Sequence, residues 1–265
     1  MTAPAPSFRI RVDVTNPGQF FACCGLLELA SRLTPDAASW FERGSFCLSQ
    51  THGLRELLAA ITGATLRQID PDDTTASPIQ IPAPFDIRID WWKTNDRAVS
   101  DLKVWAGTME SFRIARAMQN AMRAPDFASE ELLNIGVVAY DPDDPKKKVE
   151  PFYFDARRGP NAHSRDVGFA PNDLGVTTIA SPSVEFLCLV GLQRTKPVPM
   201  PKTPRIFDYH AWTNPLPVAL LPAAAAGLLP DSAAHGYRFE SWFRTGQRKH
   251  KAFLSANPKP QSQTL

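Results

Sequence analysis

FRIRVDVTNPGQFFACCGLLELASRL, residues 8–33, is the stretch that decides the fold class. Phe8, Ile10, Val12 and Val14 alternate with Arg9, Arg11 and Asp13, the period of two expected of a strand with one buried face. Asn16-Pro17-Gly18 is turn chemistry. Residues 20–33 then read as a helix that stays apolar until Arg32, and a helix apolar on most faces belongs inside a protein. Working outward, residues 45–49 form a second strand and 54–61 a short helix, so the chain opens β-α-β-α. The fold class is α+β: a single domain over residues 1–256, with a mixed or mainly antiparallel sheet and helices packed against it. A disordered tail is expected over 257–265.

Further along, 71–84 reads as a proline-rich connection, and Phe85, Ile87 and Ile89 alternate with Asp86, Arg88 and Asp90. Residues 106–123 make an amphipathic helix. Ile114, Ala115, Met118, Ala121 and Met122 share one arc, and Arg113, Arg116, Asn120 and Arg123 lie on the opposite one. Segments 137–140 and 149–154 suit an antiparallel pair around DPDDPKKK. Ser181 before Pro182 opens a buried helix through Gln193. Segments 205–212 and 217–221 read as extended, and 237–244 with 249–255 form a C-terminal β-hairpin around Thr245-Gly246-Gln247.

Composition narrows the function classes. The chain has 265 residues, enough for one sizeable core, and 25 prolines, which favour extended connections over long helices. The net charge of +2 is unevenly spread. Residues 1–150 carry 16 basic and 20 acidic side chains, a balance of −4; residues 151–265 carry 13 and 7, a balance of +6. That gradient is compatible with a docking face at one end and a polyanion-facing surface at the other. The four cysteines, Cys23, Cys24, Cys47 and Cys188, form no CxxC pair, and no HxE or HExxH spacing occurs, so no metal or other cofactor is expected. A start without a signal pattern, and prolines in the longest uncharged stretch, give the expectation of a cytoplasmic protein that meets no membrane.

No nucleotide-binding loop or nucleophile signature appears, and a non-enzymatic protein is expected. Binding features are better represented. EPFYFDARRGPNAHSRDVGF, residues 150–169, reads as a short apolar strand, 151–154, running into a long loop. There Arg157, Arg158 and Arg165 suit phosphate contact, and Asn161 and His163 suit hydrogen bonds to a base edge or sugar. The plainer alternative pairs these arginines with Asp155 and Asp166. Arg113, Arg116 and Arg123 form a second candidate surface, and the hairpin cations Arg244, Arg248, Lys249 and Lys251, with His250, a third. Trp91 and Trp92 beside Lys93 suit a stacking platform; the alternative places Trp91 in the core and leaves one of the pair exposed. Glu28 and Glu185, each alone in an apolar helix, read as paired or capped structural carboxylates.

Three blocks carry a family resemblance: NPGQFFACCGLLELASRL at 16–33, FDIRIDWW with LKVWAGTMESFRIARAM between 85 and 118, and EPFYFDARRGPNAHSRDVGF with VEFLCLVGLQR between 150 and 194. Together they resemble the small CRISPR-associated proteins of subtype I-U, also called I-G. Of two small accessory families of those loci, the nearer is the short, large-subunit-like family of type I Cascade complexes. The resemblance implies a non-enzymatic subunit of an RNA-guided surveillance complex in antiviral defence. Its partners would be other effector subunits, guide RNA and target DNA, with base pairing reading sequence while protein holds backbones. The chain is about half the usual length of a full large subunit, and no catalytic residue carries over. Two alternatives stand beside this one: a scaffold that touches other subunits and no nucleic acid, and a hydrolase built on Cys23 or Cys24.

Overall fold

The computed structural model describes residues 5–93, 100–158, 179–229, 235–244 and 248–259. Two buried helices run through its centre. Helix α1, Pro17–Leu33, starts where the Asn16 side chain accepts hydrogen bonds from the Gly18 and Gln19 N–H groups, with Pro17 in the first turn. Helix α4, Pro182–Arg194, is likewise buried from its proline to Leu192. Glycines set how close the two lie. A Cβ on Gly25 would stand 2.0 Å from the Leu187 carbonyl oxygen, and one on Gly191 2.0 Å from that of Phe21. The helix backbones touch, and no larger residue fits either position.

Sheets cover the α1 side. Strand β1, Phe8–Arg11, pairs with β3, Ser45–Ser49; β3 pairs with β2, Ala38–Glu42; and β2 pairs with β11, Leu216–Pro217. A second sheet runs in the order β13 (Lys251–Phe253), β12 (His235–Phe243), β10 (Ile206–Ala211), β9 (Val198–Pro199), with β14 (Asn257–Pro258) also on β12. Phe20 joins both sheets to α1, its ring against Phe41, Trp212 and Tyr209. On the other side, α4 packs against α3, Ser111–Ala121, and a three-stranded sheet of β4 (Arg67–Gln68), β5 (Ile79–Ile81) and β6 (Ile87–Ile89). Helices α2, Leu54–Gly63, and α5, Leu221–Ala225, and the hairpin of β7 (Tyr140–Asp141) and β8 (Asp144–Lys148) lie around this frame. Every strand pairing among the described residues is antiparallel, and one apolar cluster runs through both sides of the helix pair. The fold is α+β, as its sequence pattern implies.

Several local expectations are corrected. The opening is β-α-β-β-α: β2 intervenes, turned onto β3 by Arg43 at φ 50 and Gly44 at φ 74. That turn demands left-handed backbone at both positions, which Arg43 does not advertise. The proline-rich connection contains β5. Of residues 217–221, Pro217 is extended as the end of β11, and 218–221 turn helical. Of the expected pairing of 137–140 with 149–154, the Val149 N–H on the Ala139 carbonyl is present, but the strands themselves, β7 and β8, lie further into the DPDDPKKK segment. Of the tail expected to be disordered, Asn257 and Pro258 pair with β12 and the Lys259 N–H donates to the Gly236 carbonyl; 260–265 lie outside the described residues. The C-terminal hairpin is present, with Trp242 opposite Ala252 and Phe243 opposite Lys251, while its Thr245-Gly246-Gln247 turn lies outside the described residues.

Candidate nucleic-acid interface

Residues 151–154 are not a strand. They are buried irregular backbone, and Tyr153 has φ 77, a left-handed conformation uncommon outside glycine. A carboxylate takes the place of a neighbouring strand. Glu185, fully buried in the first turn of α4, accepts from the Tyr153 and Phe154 N–H groups through Oε2 (3.0 and 3.2 Å) and from that of Asp155 through Oε1 (3.2 Å). Burial pushes Glu185 up to about 7, the charge of Asp155 adds to this, and the three N–H groups oppose it.

Asp155, also fully buried, answers the question left by the paired arginines. It accepts from Arg157 Nε (2.9 Å) and Nη2 (2.7 Å) and from the Asn16 side-chain amide (2.8 Å). Burial alone would raise its carboxyl; the hydrogen bonds and charge of Arg157, with Ser181 and Asn16, outweigh burial and hold it below the usual carboxylate range. Arg157 also donates to the Leu133 carbonyl, Asn134 and Ser181. The plainer alternative therefore describes Arg157, which ties down the loop base. Arg158 is half-buried, and its Nε has no hydrogen-bond partner among the described residues. Asn161, His163 and Arg165 lie outside the described residues.

The helix face is committed as well. Arg113 Nε lies 2.7 Å from Asp141 Oδ2 as an ion pair without hydrogen-bond alignment. Arg116 holds Asp143 through two bonds of 2.5 and 2.9 Å, and Arg123 donates to the Thr62 carbonyl at 3.0 and 3.3 Å. Expected as a free cationic face, it is neutralised at two of its three arginines by the β7–β8 hairpin. The tryptophan platform is corrected too: Trp91 and Trp92 are both core, their indoles donating to the Leu189 and Ala76 carbonyls.

The C-terminal hairpin differs. Burial splits its cations: Lys251 is buried and Arg244 half-buried, while Arg248 and Lys249 stay exposed. The Arg244 guanidinium lies 3.5 Å from the Tyr153 ring centroid, and the Phe253 N–H donates to the Tyr153 carbonyl. The structure thus joins the hairpin to the loop base, two segments that the sequence separates by about ninety residues. Two cations outside the sequence clusters complete the group. Lys103, buried, donates to the Trp105 carbonyl, and Arg205 packs against Trp242 and Phe243 at 5.3 and 5.0 Å.

These cations press on one another. Burial lowers Lys103 to about 8 against the pull of Asp73, with Lys251 adding to the fall. Burial lowers Lys251 as well, opposed by Asp101 and reinforced by Arg205. Burial and the charges of Arg244, Lys249 and Lys103 all lower His250. Of the acidic groups nearby, Asp101 pairs with Lys251 at 3.8 Å, while Asp73 lies with Lys93, Glu150 accepts from the Tyr153 hydroxyl and Glu185 holds backbone. The result is a cluster of cations around the hairpin, with Lys103 and Lys251 buried and Arg248 and Lys249 exposed.

All four cysteines are buried, and burial pushes the Cys23, Cys24 and Cys188 thiols up. A thiol held protonated is a poor nucleophile, which counts against the hydrolase alternative. No described helix is long and apolar enough to cross a membrane. No protein-family model, curated protein or solved structure matches the chain.

Proposed function

We propose that the chain is a non-enzymatic, nucleic-acid-contacting subunit of a type I-U/I-G CRISPR RNA-guided complex, working in antiviral defence beside other effector subunits. The observation that carries the nucleic-acid part is the gathering of Lys103, Arg205, Arg244, Lys249, His250 and Lys251 around one hairpin, where burial and neighbouring cations together lower Lys103, His250 and Lys251. Holding like charges together costs free energy that a phosphate backbone offsets on binding. The CRISPR part rests on the sequence blocks at 16–33, 85–118 and 150–194. Arg248 and Lys249 are the principal phosphate contacts, with Arg158 at the adjoining loop base; Arg157 acts mainly as a structural brace.

Co-expression with the neighbouring subunits and a guide RNA, followed by photocrosslinking, tests this reading. Crosslinks from the 244–251 hairpin to guide or target are the expected result. A chain that assembles with protein subunits and crosslinks to no nucleic acid is the scaffold instead.

A further inference from the structure

Five of the six tryptophans are at most 5% exposed, whereas Trp242 is 41% exposed. Four of the buried indoles donate to backbone carbonyls. Trp242 stands on β12 opposite Ala252, a residue too small to cover an indole. Arg205 is seated against it, its guanidinium 5.3 Å from the Trp242 ring centroid and 5.0 Å from that of Phe243. Arg205 holds a left-handed backbone, φ 67, and its carbonyl accepts from the Ser241 N–H at 2.9 Å. Its Nε finds no hydrogen-bond partner among the described residues. A cation seated on an otherwise uncovered ring, on a backbone held in an uncommon conformation, is an arrangement suited to a flat ligand bearing acceptors.

Charge decides which flat ligand. The strand pairing ends with the Arg244 N–H on the His250 carbonyl, two residues or roughly 7 Å beyond Trp242. Arg248 and Lys249 lie past that point, both exposed. On the outward face of β12, Arg238 is neutralised by Asp208, and Glu240 is the one carboxylate of the strand. An apolar protein anchor would gain little from Arg205, Arg248 and Lys249, whereas a nucleotide strand uses both ring and cations.

We infer that Trp242 stacks an unpaired base of a single-stranded nucleic acid, with Arg205 locking the indole and donating to the base or its phosphate. Arg248 and Lys249 take the phosphates on the side toward the turn. This deepens the proposed function and rests on it, adding that the strand is single where the hairpin meets it: a base stacked inside a duplex offers no free face.

The test is affinity of the full chain for a fluorescent single-stranded oligonucleotide, and for the same strand annealed to its complement, across a salt series. Trp242→Ala weakens single-strand binding about tenfold or more, with an unchanged salt slope and duplex affinity altered less than about twofold. Trp242→Phe restores most of the loss; circular dichroism identical to the parent chain confirms that both variants fold. Arg248→Ala with Lys249→Ala weakens both ligands. If Trp242→Ala binds like the parent while the double variant does not, stacking is wrong and backbone contact stands. Equal losses for strand and duplex also overturn stacking. A Trp242→Ala chain that binds the strand normally but no longer co-purifies with a neighbouring subunit makes Trp242 a protein contact. If the parent chain binds neither ligand even at low salt, both the inference and the nucleic-acid function fall.

Discussion

The α1–α4 helix pair and the β12–β13 hairpin treat charge in opposite ways. In the helix pair, each buried carboxylate is answered: Glu28 by Arg32 and Arg194, Asp155 by Arg157 and Asn16, Glu185 by three backbone N–H groups. In the hairpin, burial and neighbouring cations lower His250 and Lys251, and the buried Nε atoms of Arg205 and Arg244 lack hydrogen-bond partners among the described residues. One region balances its buried charges internally, and the other is the region proposed to meet an anion. The contrast is one of charge: the carboxylates of the helix pair have partners inside the fold, whereas the hairpin gathers cations beside two exposed ones, Arg248 and Lys249.

The sharpest way to break the first half of that comparison is at the helix contact. Gly25→Ala, or Gly191→Ala, forces a methyl to 2.0 Å from a backbone oxygen, and the helices must part. A loss of at least about 3 kcal/mol is expected in urea denaturation, with Ala59→Gly on the exposed face of α2 as a modest reference. Next comes Asp155→Ala, which strips a fully buried acceptor from Arg157 and Asn16 and should cost about 2–3 kcal/mol. An unchanged denaturation midpoint for Asp155→Ala means that the loop base is not held as described.

Glu185 gives a pH signature. Its folded value of about 7 lies above an unfolded value of about 4.3, so the folded chain binds the extra proton between them. Stability from this group is therefore largest below about pH 4.3 and declines as pH rises toward 7, by at most about 1.4 kcal/mol per unit. Glu185→Gln removes that slope, and parallel pH profiles for the two chains would refute the assignment. The smallest effect is expected at Arg116→Ala. Its partner Asp143 is 70% exposed, and the change in stability should stay under about 1 kcal/mol.

The sequence discloses these regions unequally. Phe8–Leu33 is readable because strand alternation, the Asn16-Pro17 start and an unbroken apolar helix agree. The second buried helix is readable from Ser181-Pro182, although Ser181 uses its hydroxyl to accept from Arg157 instead of capping the helix. The segment 151–154 misleads because four apolar residues look alike in a strand and in a buried loop. What distinguishes them is Glu185, about thirty residues away, whose role depends on tertiary contact. Arg113 and Arg116 mislead for the same reason, since Asp141 and Asp143 reach them through a hairpin with little local signature. The C-terminal cluster is half legible. Arg244, Arg248, Lys249 and Lys251 stand close in sequence, but Lys103 and Arg205 reach them only in the fold.

The most direct test of the hairpin's role is the salt dependence of single-strand binding by the parent chain and by Arg248→Ala/Lys249→Ala. Without these two phosphate-binding cations, the slope of log affinity against log salt should shrink by about 1.4, and stability should stay within about 0.5 kcal/mol of the parent. Equal affinities and equal slopes for the two proteins would contradict the account.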